Sequence, residues 1–183
     1  MEMPKLTETH RKLQKLVGRF QADEKIYASP MGSAGKAAAR TVGSRISGGF
    51  GVAHEYQQKK DGAVAYSGHG VFRYDSASGE YQLHWFDSMD MGVNLFHGNF
   101  EGEVLSMTCS DAQGHMRCIY DLGVPDGYHM RMEMSQDGIS WAPFMEGHFT
   151  EAKAATSRKA RKRKQARRPT ATKKAKRKRA RRK

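Results

Sequence analysis

The sequence predicts a mainly β protein: an antiparallel up-and-down barrel of about ten strands, with a short N-terminal helix and a disordered basic C-terminal tail. Three observations carry this expectation. Between Phe20 and Thr150, short runs of β-branched and aromatic residues alternate with dense turn chemistry. No helical period in that region is long enough to supply a crossover, so successive strands must pair antiparallel. Charge is segregated: residues 1–150 carry 14 Lys and Arg against 18 Asp and Glu, whereas residues 151–183 carry 18 Lys and Arg against Glu151 alone.

The chain therefore divides into a helical segment (1–17), a barrel (18–150) and a polycationic tail (151–183). Its 183 residues suffice for one domain with a real core. The net charge of +13 belongs to the tail, because the first 150 residues sum to −4 and the remainder to +17. The start, MEMPKLTETHRKLQK, has no apolar stretch of signal-peptide type, and no window approaches membrane-spanning length. A cytoplasmic protein without a membrane span is expected, nucleoid-associated if the tail holds nucleic acid.

Leu13, Leu16, Val17 and Phe20 follow the i, i+3, i+4, i+7 pattern of one helical stripe, with Thr7 or Thr9 as N-cap and Gly18 as stop. Such a helix has one face to lay against something and too few residues to stand alone. Beyond it, turn signals stand at 31–35, 47–49, 61–62, 76–79, 91–92, 101–103, 111–114, 125–127 and 137–138. These breaks leave segments long enough to cross a small sheet. A meander of that many strands closes most economically on itself, since closure removes both edges.

Two-residue Asp-Gly loops favour type I′ hairpins and so suggest registers. Around Asp137-Gly138, Trp141 falls opposite Met134, Met145 opposite Met130 and Glu146 opposite His129. One face then carries Met130, Met132, Met134, Trp141 and Met145, a soft lining. It reads either as core filling or as a pliable pocket for an apolar ligand. Centring a turn on SASG pairs Tyr74 with Tyr81, Phe72 with Leu83 and Gly70 with Trp85, the glycine leaving room for the indole. Asp87 shares that apolar face and needs a partner or water; Arg73 and Arg131 reach it only by swinging over the rim. Trp85, Asp87, Met130, Met132, Met134 and Trp141 are accordingly the candidate ligand-binding residues.

Around Asp61-Gly62, His54 pairs with His69, and both share a face with His84. Three imidazoles on adjacent strands suit a divalent metal or a metal-dependent enzyme; a solvated polar face is the plainer account. No carboxylate pair, Ser-His-Asp set or Cys-His pair supports a catalytic assignment, so a binding protein is expected ahead of an enzyme, with no cofactor. Cys109 falls opposite Met116 with Cys118 two residues along that face, and reduced thiols are the expected state.

The run from about Leu13 to Phe149 resembles a bacterial domain-of-unknown-function family of lipocalin-like (calycin-type) barrels. GGF at 48–50, HEY at 54–56, GHGVFRYD at 68–75, YQLHWFDS at 81–88 and MEGHF at 145–149 carry the resemblance. It implies an antiparallel barrel with a helix beside its mouth, and no established activity, ligand or catalytic residue. Where such proteins open their first strand with Gly-x-Trp, this chain reads Gly18-Arg19-Phe20, which keeps an aromatic plug and loses the indole N–H.

The tail resembles linker-histone tails. It has no apolar period and cannot bury a core. Its cations are Lys153, Arg158, Lys159, Arg161, Lys162, Arg163, Lys164, Arg167, Arg168, Lys173, Lys174, Lys176, Arg177, Lys178, Arg179, Arg181, Arg182 and Lys183. Those from Arg158 onward are the candidate contacts to a nucleic acid or other polyanion, bound without sequence preference. A solubilising or targeting extension is the alternative.

Overall fold

A computed structural model describes residues 3–30, 32–90 and 92–152. The described residues form one short α-helix, α1 (Glu8–Leu13), and ten strands: β1 (Gly18–Ile26), β2 (Gly35–Ile46), β3 (Gly51–Lys60), β4 (Ala63–Asp75), β5 (Glu80–Asp87), β6 (Asn94–Glu101), β7 (Val104–Asp111), β8 (Gly114–Asp121), β9 (Gly127–Ser135) and β10 (Ala142–Glu151). Every strand pairs antiparallel with its neighbours in sequence, and β1 closes on β10, completing an up-and-down barrel. The fold class is the one the turn spacing predicts. No helix among the described residues is long and apolar enough to cross a membrane.

The N-terminal segment stops one end of this barrel. Thr7 caps α1 through a capping box closed by His10, and the helix tightens into a 3-10 turn at Gln14–Leu16. Leu13 and Leu16 are completely buried, which stabilises the plug by about 1.5–3 kcal/mol for each side chain. A Cβ on Gly43 of β2 would lie 1.8 Å from the Leu16 carbonyl oxygen, so only glycine lets the plug seat this deeply. Polar ties fasten it to the surrounding turns: the Gln14 amide donates to the Gly49 carbonyl, the Tyr81 hydroxyl to the Thr9 carbonyl, and Lys15 pairs with Glu103. The expected helical stripe ran on to Phe20. Instead the α-helix ends at Leu13, and Phe20 is an inward-facing residue of β1.

The strands alternate buried and exposed positions, as one-sided walls do. The SASG hairpin has the expected register, with Tyr74 opposite Tyr81, Phe72 opposite Leu83 and Gly70 opposite Trp85. Cys109 faces Met116 as expected, and both cysteines are buried free thiols. Two other registers differ. Asp61 and Gly62 form the expected tight turn with positive φ, but Gln58 pairs with Tyr66 and Lys59 with Val64, a bulge that advances the register by one. At the last hairpin the Asp137 carboxylate accepts from the Ile139 and Ser140 amides and from the Ser135 hydroxyl, holding open a wider loop. Ala142, not Trp141, then faces Met134, and a second irregularity between Pro143 and Met145 places Met145 opposite Met132 and Glu146 opposite Arg131.

Candidate functional site

Because α1 stops one end, the lumen opens at the other, among the turns β1–β2, β3–β4, β5–β6, β7–β8 and β9–β10. A cavity of about 150 Å³ occupies that half. Its wall is chiefly aromatic and sulfur-bearing, including Leu83, Phe96, Met116, Cys118, Met130, Met132, Phe144, Met145 and Phe149. These side chains arrive from β5, β6, β8, β9 and β10 because inward positions recur every second residue, and Phe144 joins Met145 in the wall at the irregularity between Pro143 and Met145. Methionine suits such a wall, since its unbranched thioether repacks around guests of different shape.

At the mouth, three side chains form a chain of hydrogen bonds. The Trp85 indole N–H donates to the Tyr66 hydroxyl at 2.9 Å, and that hydroxyl donates to Asp87 Oδ2 at 2.9 Å. Asp87 Oδ1 accepts from the Met89 amide at 2.8 Å, which fixes the carboxylate against the start of the β5–β6 loop. Burial, with the neighbouring Asp87 charge adding to it, raises the Tyr66 pKa, so this hydroxyl keeps its proton. The partner that Asp87 requires is therefore Tyr66 from the adjacent strand. Arg73 and Arg131 are committed elsewhere, to Asp75 and Glu133.

A second carboxyl stands beside this chain. Glu24 on β1 is 1% exposed, and its Oε2 accepts from the Tyr56 hydroxyl at 2.6 Å and the Gln58 amide at 2.8 Å. Its Oε1 is buried with no partner. Burial raises the Glu24 pKa above the ordinary carboxylate value, against the lowering effect of those two bonds. The Tyr56 ring meets Tyr66 at 5.8 Å and Trp85 at 6.3 Å between centroids, both edge to face. The two acidic groups thus share one aromatic corner of the lumen.

Deeper in, His54 is buried, and burial, aided by the charge of His69, lowers its pKa to about 4. The imidazole is therefore neutral near pH 7. Its Nε2 lies 3.4 Å from the Tyr128 hydroxyl, which is 2.8 Å from the Thr41 hydroxyl, while Nδ1 has no partner. Below this the lumen is packed solid by Phe20, Val52, Phe72, Leu105 and Met107.

Of the residues proposed from sequence, Trp85, Asp87, Met130 and Met132 line the cavity, and Met134 and Trp141 do not. Met134 faces Met116 and Ala142 at the rim. Trp141 lies on the outer surface, where its ring covers the Arg117 guanidinium at 4.2 Å. Beneath that pair Glu133, 4% exposed, accepts from Arg117 and pairs with Arg131. The wider last loop is the reason: it removes Trp141 from the ladder before β10 begins.

His54, His69 and His84 do not share a face. The β3–β4 bulge sets His54 opposite Gly70 and His69 opposite Glu55, so His54 points inward while His69, outside, pairs with Glu55 at 2.6 Å. His84 stands opposite Val71, two positions along the outer face from the Phe86 that faces His69. Among the described residues, no group of three His, Cys, Asp or Glu is arranged to hold a metal ion. The tail residues Arg158 to Lys183 lie outside the described residues.

Sequence reasoning overlooked Glu24, Tyr56, Gln58 and Tyr66. One signal was present: Phe20, Ala22 and Glu24 alternate, so a carboxyl occupies an inward position of an otherwise apolar stripe. The Tyr66–Asp87 contact had one too: with Gly70 opposite Trp85, Tyr66 falls on the face that carries Trp85 and Asp87.

Residues 5–151 match the family described as protein of unknown function (DUF1579), and the chain belongs to that family. Among solved structures, Rv2717c from M. tuberculosis is similar at a TM-score of 0.62 and 15% identity, covering 81% of this chain and 100% of that one. The S-type phycobiliprotein lyase CPES from Guillardia theta is similar at a TM-score of 0.56 and 8% identity, covering 82% and 99%. These likenesses show a shared barrel fold. Comparison with curated proteins finds no match.

Proposed function

We propose that this DUF1579-family barrel binds a small, largely apolar ligand in its lumen. The supporting observation is that a closed barrel of ten strands keeps an open cavity at one end while packing the other solid. Ten-stranded walls enclose more space than their own side chains must occupy. Concave sites with an apolar lining and a few placed polar groups are the usual form of small-molecule pockets. Here the apolar part is Met130, Met132, Met145, Phe96 and Phe144, and the polar part is Asp87, Tyr66, Gln58 and Tyr56.

Trp85 stands in the wall and reports occupancy. In the Trp141→Phe protein it is the one remaining tryptophan, so titration with small hydrophobic metabolites should shift or quench its emission with saturation. Absence of any saturable change across such a library, with unchanged melting temperatures, removes the carrier reading.

For residues 151–183 the reading rests on composition: 18 cations in 33 residues attract a polyanion without any specific fold. The barrel would then be carried on a nucleic acid or another polyanion by electrostatics alone.

A further inference from the structure

We propose that the lumen selects an apolar ligand with a cationic head, such as a protonated alkyl amine, and excludes apolar carboxylates. This rests on the lumen being a binding site. Among the described residues, none of those lining the cavity is Lys or Arg, while Asp87 lines it and Glu24 lies behind Tyr56 and Gln58. An anionic head would leave water for a wall with no counter-charge and one carboxylate facing it, which is costly. A cation meets the opposite situation.

The hydrogen-bond inventory points the same way. The polar hydrogens of Trp85, Tyr66, Tyr56 and Gln58 are already directed at partners within the wall. Beside Asp87, what these four leave open is acceptor capacity; the Asn94 amide and the Tyr120 hydroxyl also line the cavity, as neutral groups that offer an anionic head no counter-charge. A carboxylate offers about four lone-pair sites; Asp87, which lines the cavity, accepts the Tyr66 hydroxyl and the Met89 amide and keeps sites to spare. A ligand head made of N–H donors fills that deficit, and a carboxylate head does not.

The rings add a third, independent element. Tyr56, Tyr66 and Trp85 meet at interplanar angles of 64° and 63°, which makes adjoining walls of a corner rather than a flat stack. Aromatic faces set around one volume attract an ammonium group through their quadrupoles, and more strongly when it is desolvated. The methionine-lined remainder receives the hydrocarbon. The head therefore sits at the mouth, and the chain points toward His54.

Matched eight-carbon probes separate the possibilities: octylamine, octanol and octanoate, titrated at pH 7 against the Trp141→Phe protein by Trp85 emission and by calorimetry. Octylammonium should bind at least about tenfold more tightly than octanoate, and Asp87→Asn should bring its affinity to within about twofold of octanol. Equal or tighter binding of octanoate overturns the proposal, as does an amine preference that survives Asp87→Asn. The ranking of the three probes needs no mutation in the site, so it stands if Asp87→Asn folds poorly. Binding of octanol without preference for the amine removes only the cation selectivity. Failure of all three to bind removes the carrier reading, and this inference with it.

Discussion

Trp85 crosses Gly68 so closely that a Cβ on the glycine would lie 2.0 Å from the indole Cζ2. A Cβ on Gly70, next along the same face, would lie 2.8 Å from its Cε3. The two glycines form the seat of the one tryptophan in the cavity wall, and the YQLHWFDS and GHGVFRYD stretches are two sides of a single contact. Gly68→Ala should therefore displace the ring from its bond to Tyr66 and destabilise the barrel by about 1–3 kcal/mol, the usual penalty for overpacking. Denaturant unfolding of the alanine variant, with Trp85 emission in the Trp141→Phe background, checks both effects. An unchanged midpoint and spectrum would mean that the indole is not held there.

Two buried titratable groups should bend the pH dependence of stability in opposite directions. His54 has a folded pKa near 4 against 6.5 in the unfolded chain. As pH falls below 6.5 the unfolded chain takes up a proton that the folded one refuses, so stability drops until about pH 4, by roughly 3 kcal/mol in all. Glu24 is raised above 4.5 when folded. Its unfolded form ionises first as pH rises, so its contribution falls between 4.5 and its folded value. Urea unfolding at a series of pH values should show His54→Gln flattening the loss on acidification and Glu24→Gln relieving the loss on the rising side. An acid limb with the same slope in His54→Gln and wild type would show that the imidazole is not held neutral.

On the outer wall, Arg117 is the covered partner of an almost fully buried carboxylate. Removing it as Arg117→Ala leaves Glu133 with Arg131 alone and uncovers Trp141. A cost of about 2 kcal/mol is expected, since a buried charge loses half its pairing. The more exposed pair Arg73–Asp75 makes the contrast: Arg73→Ala should change stability by less than about 1 kcal/mol. Thermal melts of the two variants test the ordering, and equal effects would contradict it.

The charge reading of residues 151–183 predicts non-specific DNA binding whose log K falls against log salt with a slope near −9 if about ten phosphates are neutralised. Ending the chain after Ala152 should abolish this binding and keep the melting temperature. That end point retains the Glu151 and Ala152 amides, which donate to Asp126 and Arg19 carbonyls beside β1. Retardation of DNA by the shortened chain, or a flat salt dependence in the intact one, would refute the reading.

What was legible in the residues is what local chemistry controls. Turn signals spaced at strand length, with no room for a crossover helix, specify a closed antiparallel meander, because every alternative leaves an unpaired edge. The SASG hairpin was readable to the residue, since Gly70 and Trp85 make sense only opposite each other. The helix start was readable to one of two threonines, Thr7 or Thr9, as capping involves a side chain and the backbone one turn away, and the structure selects Thr7.

The site was decided elsewhere. A strand shows its two faces in strict alternation, so one inserted residue exchanges them. The bulge opposite Gln58 and Lys59 did this to the histidines, drawing His54 into the lumen and leaving His69 outside with Glu55. The open loop at Asp137 did it to Trp141. The bulge has no signature in the residues alone, because it follows from how a ring of strands must shear to close; the wider loop is set locally, by an Asp137 carboxylate that takes the Ile139 and Ser140 amides. By itself the sequence determined a barrel with a soft methionine lining and a basic tail. That Asp87, Tyr66, Tyr56 and Glu24 share a corner of it was decided by tertiary closure, since they lie on four separate strands and meet only when the ring is complete.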